Sequence, residues 1–133
     1  MNKAEFDALP KPIAVSEDNA RYLNVCAKSS RDSAGRMYAS GSGADLADAP
    51  LRDLQADAFA LLACGVTVEA IVELLEPKWR AYATEQQARV AAAPKIKRGP
   101  YSGQSNISHR WVSTEAFENF IPHLIQMADK YQR

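Results

Sequence analysis

Apolar residues recur at helical spacing through the middle of this chain. Leu51, Leu54, Ala58, Leu61 and Leu62 line one face before Gly65, and Val68, Ile71, Val72 and Leu75 repeat at i, i+3, i+4, i+7 after it. Gly65 offers the left-handed geometry that ends a helix, and Thr67 stands where it can cap the next one. The spacing therefore predicts a helical hairpin over 51–64 and 67–76. Toward the C-terminus, Phe117, Phe120, Ile121, Leu124, Ile125, Ala128 and Tyr131 form a wide apolar stripe. They predict a closing helix over 114–131, in which Pro122 marks either a kink or a first turn beginning near Asn119. Near the N-terminus, Ser16 followed by Glu17 and Asp18 is a helix start. A helix from about 17 to 28 would bury Tyr22, Leu23, Cys26 and Ala27. Residues 2–9 have room for a helical turn or two, with Phe6 and Leu9 on one side, before Pro10 and Pro12.

Between these elements the pattern weakens. Residues 29–49 are dominated by Ser, Gly, Ala and Asp and read as a long flexible connection, with a short helical turn over 36–39. The stripe of the second hairpin helix continues across Pro77 to Trp79 and Tyr82, so the helix either kinks there or restarts with Pro77 in a first turn. Residues 81–93 favour an exposed helix that ends before Pro94. A second long loop is expected over 94–112, its last residues, 107–112, having the pattern of a short strand. The expected fold is all-α: a small single-domain bundle, without internal repeats, built on the central hairpin packed against the closing helix.

Size and composition sharpen this only slightly. A chain of 133 residues and 14.6 kDa fits one domain that buries roughly two-thirds of its unfolded surface. Cys26 and Cys64 both lie among apolar residues and read as buried, reduced thiols. The N-terminus has no run suited to a signal peptide, and no stretch approaches the ~20 apolar residues of a membrane span. A cytoplasmic protein without membrane contact is expected. The net charge is zero but unevenly spread: residues 1–77 carry seven Lys/Arg against twelve Asp/Glu, and residues 78–133 carry nine against four. The two halves either complement each other within the fold or across a homo-oligomer, or they mark a charged partner.

The hairpin at 56–75 resembles the helix-turn-helix of DNA-binding proteins. Gly65 occupies the turn with Cys64 and Val66 beside it, and Ile71 takes the position that locks the second helix on the first. The resemblance covers about 20 residues and implies a second helix that reads a groove. The chain departs from the pattern in two ways. Leu61 stands where a small alanine is usual, and the reading helix would carry Glu69, Glu73 and Glu76 with no cation before Lys78. Carboxylates oppose binding to DNA, whose ligands gain affinity by neutralising phosphates.

The basic stretch is the better candidate for a binding surface: Lys95, Lys97, Arg98, Tyr101, His109, Arg110 and Trp111. Cations interleaved with aromatics suit protein hot spots, and they also suit phosphate contacts combined with base stacking. His109 and His123 have no Cys, Asp or Glu at ligand spacing, the Ser40–Gly43 run lacks the strand and helix around a phosphate loop, and Asp45, Asp48, Asp53 and Asp57 read as caps and first-turn charges. No metal, cofactor or catalytic set is therefore expected. The expected function is that of a small non-enzymatic binding protein, an adaptor, inhibitor, assembly or regulatory factor of the kind found among phage and mobile-element accessory proteins, with a protein as its partner. The alternative is a nucleic-acid-binding protein using residues 78–111.

Overall fold

A computed structural model describes residues 1–92 and 110–133. Those residues form five helices: α1 (Lys3–Ala8), α2 (Glu17–Ser40), α3 (Gly43–Ala63), α4 (Val68–Ala92) and α5 (Ala116–Tyr131). The fold is all-α, as the periodicity predicts, and the central hairpin and closing helix lie where expected. The largest fully buried side chains come from α2, α3, the turn after α3, α4 and α5: Leu23, Leu61, Leu62, Val66, Ile71, Leu75, Trp79, Phe117 and Leu124. They meet in a single core.

The expected loop at 29–49 is not a loop. Residues 29–40 continue α2, residues 43–49 begin α3, and only Gly41 and Ser42 lie between the helices. The turn is made by Gly41 in the left-handed region (φ 69°) and by Ser42, whose hydroxyl accepts from the Asp45 N–H at 3.1 Å. The inward positions of α2 are Ala20, Leu23, Ala27, Ser30, Ala34 and Met37, an alternating three-four repeat with every member buried or half-buried. Ala49, Ala56 and Ala63 answer from α3 at seven-residue spacing, all buried. Small side chains at such a repeat let helix axes approach to about 8 Å, the short end of the usual range. The α2–α3 pair is the most extensive helix contact in the molecule. The core is therefore shared by α2 as well as by the hairpin and α5.

The prolines inside helices are resolved by where they stand. Pro77 lies within an unbroken α4, Pro122 within α5 and Pro50 within α3. Each removes the N–H that would serve the carbonyl four residues back, at Glu73, Glu118 and Leu46 respectively. All three of those residues are exposed, so water can take the freed carbonyl. Tyr22 is 44% exposed and stacks on Tyr131 at 4.3 Å instead of entering the core. Cys64 is exposed and Cys26 half-buried, which corrects the expectation of two buried thiols.

The N-terminal segment, the α3–α4 turn and the C-terminus are tied together. Gly65 has φ 89°, and its carbonyl accepts from the Ile13 N–H at 3.1 Å. The Gln132 amide donates to the carbonyls of Leu62 (3.2 Å) and Val66 (2.6 Å), fastening the C-terminal residues to the end of α3 and to the turn after it. Ser16 donates its backbone N–H to the carbonyl of Arg133. Among the described residues, no helix is long and apolar enough to cross a membrane.

Candidate functional site

The C-terminal half of α4 holds the chain that enters α5. Trp79, Gln86 and Gln87 fall on neighbouring faces two turns apart, and each donates from its side chain to a backbone carbonyl. Trp79 Nε1 reaches Ser113 O at 2.8 Å, Gln86 Nε2 reaches Arg110 O at 3.0 Å, and Gln87 Nε2 reaches Val112 O at 2.8 Å. Three of four consecutive carbonyls over 110–113 are thus fixed to one helix. Gln86 is the one buried polar residue among those described, and the carbonyl it serves is what makes its burial tolerable. Val112 turns inward and is buried, whereas Trp111, between two clamped carbonyls, stays 58% exposed. Trp111 is a surface residue, not a core residue leading into α5.

Arg110 is anchored to the start of α3. Its guanidinium lies 3.5 Å from Asp48, and beside it the Tyr82 hydroxyl donates to Ala47 O at 2.7 Å. The C-terminal half of α4, residues 110–113 and the first turns of α3 therefore share one end of the bundle. Two further exposed apolar residues, Tyr38 and Leu46, belong to the helix ends flanking the α2–α3 turn. Lys95, Lys97, Arg98, Tyr101 and His109, named from the sequence, lie outside the described residues, so of the predicted surface only Arg110 and Trp111 are placed. Gln86 and Gln87 carry the site's geometry and were missed. Their only signal was polar amides in a helix otherwise short of anything to bury.

The described cations of the basic half are already engaged. Lys78 pairs with Glu5 at 2.8 Å, Arg80 with Glu76 (3.0 Å) and Glu118 (3.1 Å), and Arg89 with Glu85. The Lys78–Glu5 and Arg110–Asp48 pairs join the two oppositely charged halves within one chain. The acidic run of α3 is also spoken for: Asp45 accepts from Ser40, Asp53 from Tyr38, and Asp57 from the N-terminal ammonium and Arg31. His123 packs edge-on against Phe59. Among the described residues no group of three His, Cys, Asp or Glu is placed to hold a metal ion.

The helix-turn-helix resemblance can be set against this geometry. Ile71 is fully buried as the resemblance implies, and Leu61 is fully buried too, so the bulky side chain is accommodated inside the core. The exposed side of the second helix, however, presents Glu69 and Glu73. Ile13 crosses its N-terminal turn through Gly65. Compared with protein-family models, with curated proteins and with solved structures, the chain gave no match.

Partial burial, and then the Asp53 carboxylate to which its hydroxyl donates at 3.0 Å, push the Tyr38 phenol from its ordinary 10.0 up to about 12. The folded chain keeps that proton after the unfolded chain has lost it. Stability from this group is complete below pH 10 and falls as the pH rises toward 12. Thermal midpoints measured across that window should drop less steeply for Tyr38→Phe than for the parent chain. Equal slopes would show that neither burial nor the Asp53 contact raises the Tyr38 phenol in solution.

Proposed function

We propose that this chain is a small non-enzymatic binding protein that acts through protein–protein contacts, with Trp111 as its anchor. The observation that carries the reading is a large aromatic side chain, more than half exposed, whose backbone is clamped on both sides by Gln86 and Gln87. A Trp whose flanking backbone is already held meets a partner with less backbone entropy left to lose, and Trp and Arg are enriched among residues that dominate binding energy. Arg110 beside it, and the Lys95, Lys97 and Arg98 cluster just upstream in sequence, favour an acidic partner surface. Adaptor, inhibitor, assembly and regulatory roles all use such a surface, and cytoplasmic location is part of this proposal.

Affinity capture with the tagged full-length chain, with and without nuclease, tests it. The expected result is a stoichiometric protein partner that survives nuclease. Trp111→Ala should weaken capture by about thirtyfold, the equivalent of the ~2 kcal/mol that defines a hot spot. Reversing Lys95, Lys97 and Arg98 to Glu should act mainly on the association rate. Capture that disappears with nuclease and falls steeply with salt would replace this reading by nucleic-acid binding through the basic segment. Capture unaffected by Trp111→Ala would remove the anchor.

A further inference from the structure

We propose that the groove between α4 and α5 takes a basic amphipathic helix of a partner protein. The two helices run antiparallel. Arg80 of α4 meets Glu118 near the start of α5 at 3.1 Å, and Val68 at the start of α4 shares a cleft with Ala128 near the end of α5. That cleft holds about 480 Å³ and is floored by Val68, Ile125 and Ala128. A second cleft of about 480 Å³ follows along α4 beside Val72, Pro77 and Arg80. Val68 and Val72 are half-buried, as is Ile121 one turn before Ile125. Ile125 itself is 45% exposed, and no described residue covers it. From Val68 to Arg80 the groove runs about 18 Å, the length of a helix of three turns.

The charges around the groove say what covers it. Glu69 and Asp129 line the first cleft and Glu73 the second. All three are exposed, and none is in an ion pair among the described residues, whereas Glu5, Glu17, Glu76, Glu85 and Glu118 all are. The cations lining the clefts do not answer them. Arg80 is held between Glu76 (3.0 Å) and Glu118 (3.1 Å), and Arg133 Nε donates to the backbone carbonyl of Asp129 at 2.9 Å. An apolar floor under unanswered carboxylates fits aliphatic side chains flanked by Lys or Arg. The aliphatic groups supply affinity, and the flanking cations supply selectivity and speed of encounter.

The walls select the conformation of that ligand. Both are helices, whose backbone groups are spent on their own hydrogen bonds, so an extended peptide finds no strand edge to pair with. A helix brings its backbone already satisfied and lays apolar residues spaced i, i+3 or i+4, and i+7 into such a groove. The same carboxylates turn away anionic surfaces. Nucleic acid and acidic lipid headgroups both bind through cations, which this groove does not offer. The groove also lies apart from Trp111. Gln86, which holds the chain beside Trp111, is 18 positions along α4 from Val68, about 27 Å down the helix axis. The two surfaces can be filled together, and each stands or falls without the other.

Selection of a random peptide library, each member long enough for about four helical turns, on the immobilised full-length chain tests the proposal. Enriched peptides should share apolar residues at helical spacing with Lys or Arg beside them, and synthetic copies should gain helicity on binding. Ile125→Glu, a change at an exposed position, should weaken their binding at least tenfold, and Ile125→Ala should weaken it less. Glu69→Lys with Asp129→Lys should also cost at least tenfold at low salt and flatten the salt dependence. Trp111→Ala should leave the peptides bound. Far-UV circular dichroism confirms that each variant is folded. A selection that enriches nothing, or only peptides without cations, overturns the proposal. So does binding indifferent to both Ile125 variants. Phosphatidylserine vesicles that bind the chain and are lost with Ile125→Glu would put a membrane in the groove instead. A dimer in sedimentation equilibrium that Ile125→Glu dissociates would put a second copy there, and either result overturns the assignment.

Discussion

Replacing Trp79 by Ala should cost about 3–5 kcal/mol, a large part of the stability a domain of this size possesses. Trp79 is 1% exposed and its ring lies 5.3 Å from that of Tyr82. It sits where α4 meets the chain entering α5, so neighbouring elements cannot easily collapse into the cavity left behind. Truncation also leaves Ser113 O without the Nε1 donor it meets at 2.8 Å. Trp79→Phe brings the two effects closer together: the larger part of the apolar ring is kept, the hydrogen bond and three ring atoms go, and the expected loss is about 2 kcal/mol. Denaturant unfolding reads both numbers. Because the same bond helps hold Trp111 in place, Trp79→Phe should also weaken partner capture although Trp79 touches no partner. A Trp79→Phe variant that unfolds with the parent midpoint would show that the Ser113 contact adds nothing.

What made the central hairpin legible was side-chain size. Leu61, Leu62, Ile71 and Leu75 are large, fully buried and spaced at 3.6, and so are Phe117 and Leu124 in α5. The α2–α3 hairpin follows an equally strict repeat, but its inward residues over 29–40 are Ser30, Ala34 and Met37. Small side chains carry little hydrophobic signal, and composition over 29–49 pointed to a loop. The Gly and Ser residues there do mark a turn, yet it needs only Gly41 and Ser42, with Ser42 capping α3 in the same step. Gly35 sits inside α2 with nothing within 4 Å of where a Cβ would be, so it is tolerated without any turn forming. Pro77 was ambiguous for a different reason. Whether a proline breaks a helix depends on what can reach the orphaned carbonyl, and the exposure of Glu73 is a property of the assembled bundle. At the candidate site, Trp111 and Arg110 stood out by residue type. The amides that position them did not, because Gln86 and Gln87 act through the carbonyls of residues over 20 positions away.

Gly65→Ala should be the most damaging single-methyl change in the chain. At φ 89° any L side chain is strained, a cost of about 1–2 kcal/mol. The added Cβ would also fall 2.1 Å from the carbonyl oxygen of Ile13, a backbone atom that cannot rotate aside. Relief requires residues 10–15 to lift off the α3–α4 turn, breaking the bond from Ile13 N–H to Gly65 O. That adds about 1–3 kcal/mol for the groups left unsatisfied. The combined loss of about 2–5 kcal/mol should not be spread evenly. The bundle of α2–α5 keeps its packing, while the N-terminal segment loses its seat. Hydrogen exchange should then show Ile13 protection falling to that of an open chain, with Leu61 and Ile71 amides slowed almost as before relative to the lowered global stability. Because the Lys78–Glu5 pair at 2.8 Å is a further tether of this segment, beside the N-terminal ammonium on Asp57 and the Ser16 N–H on Arg133 O, Lys78→Ala in the Gly65→Ala background should loosen α1 beyond the loss at Ile13. Uniform loss of protection across all helices would mean instead that the Ile13–Gly65 crossing is part of the cooperative core and that the N-terminal segment is no separable layer.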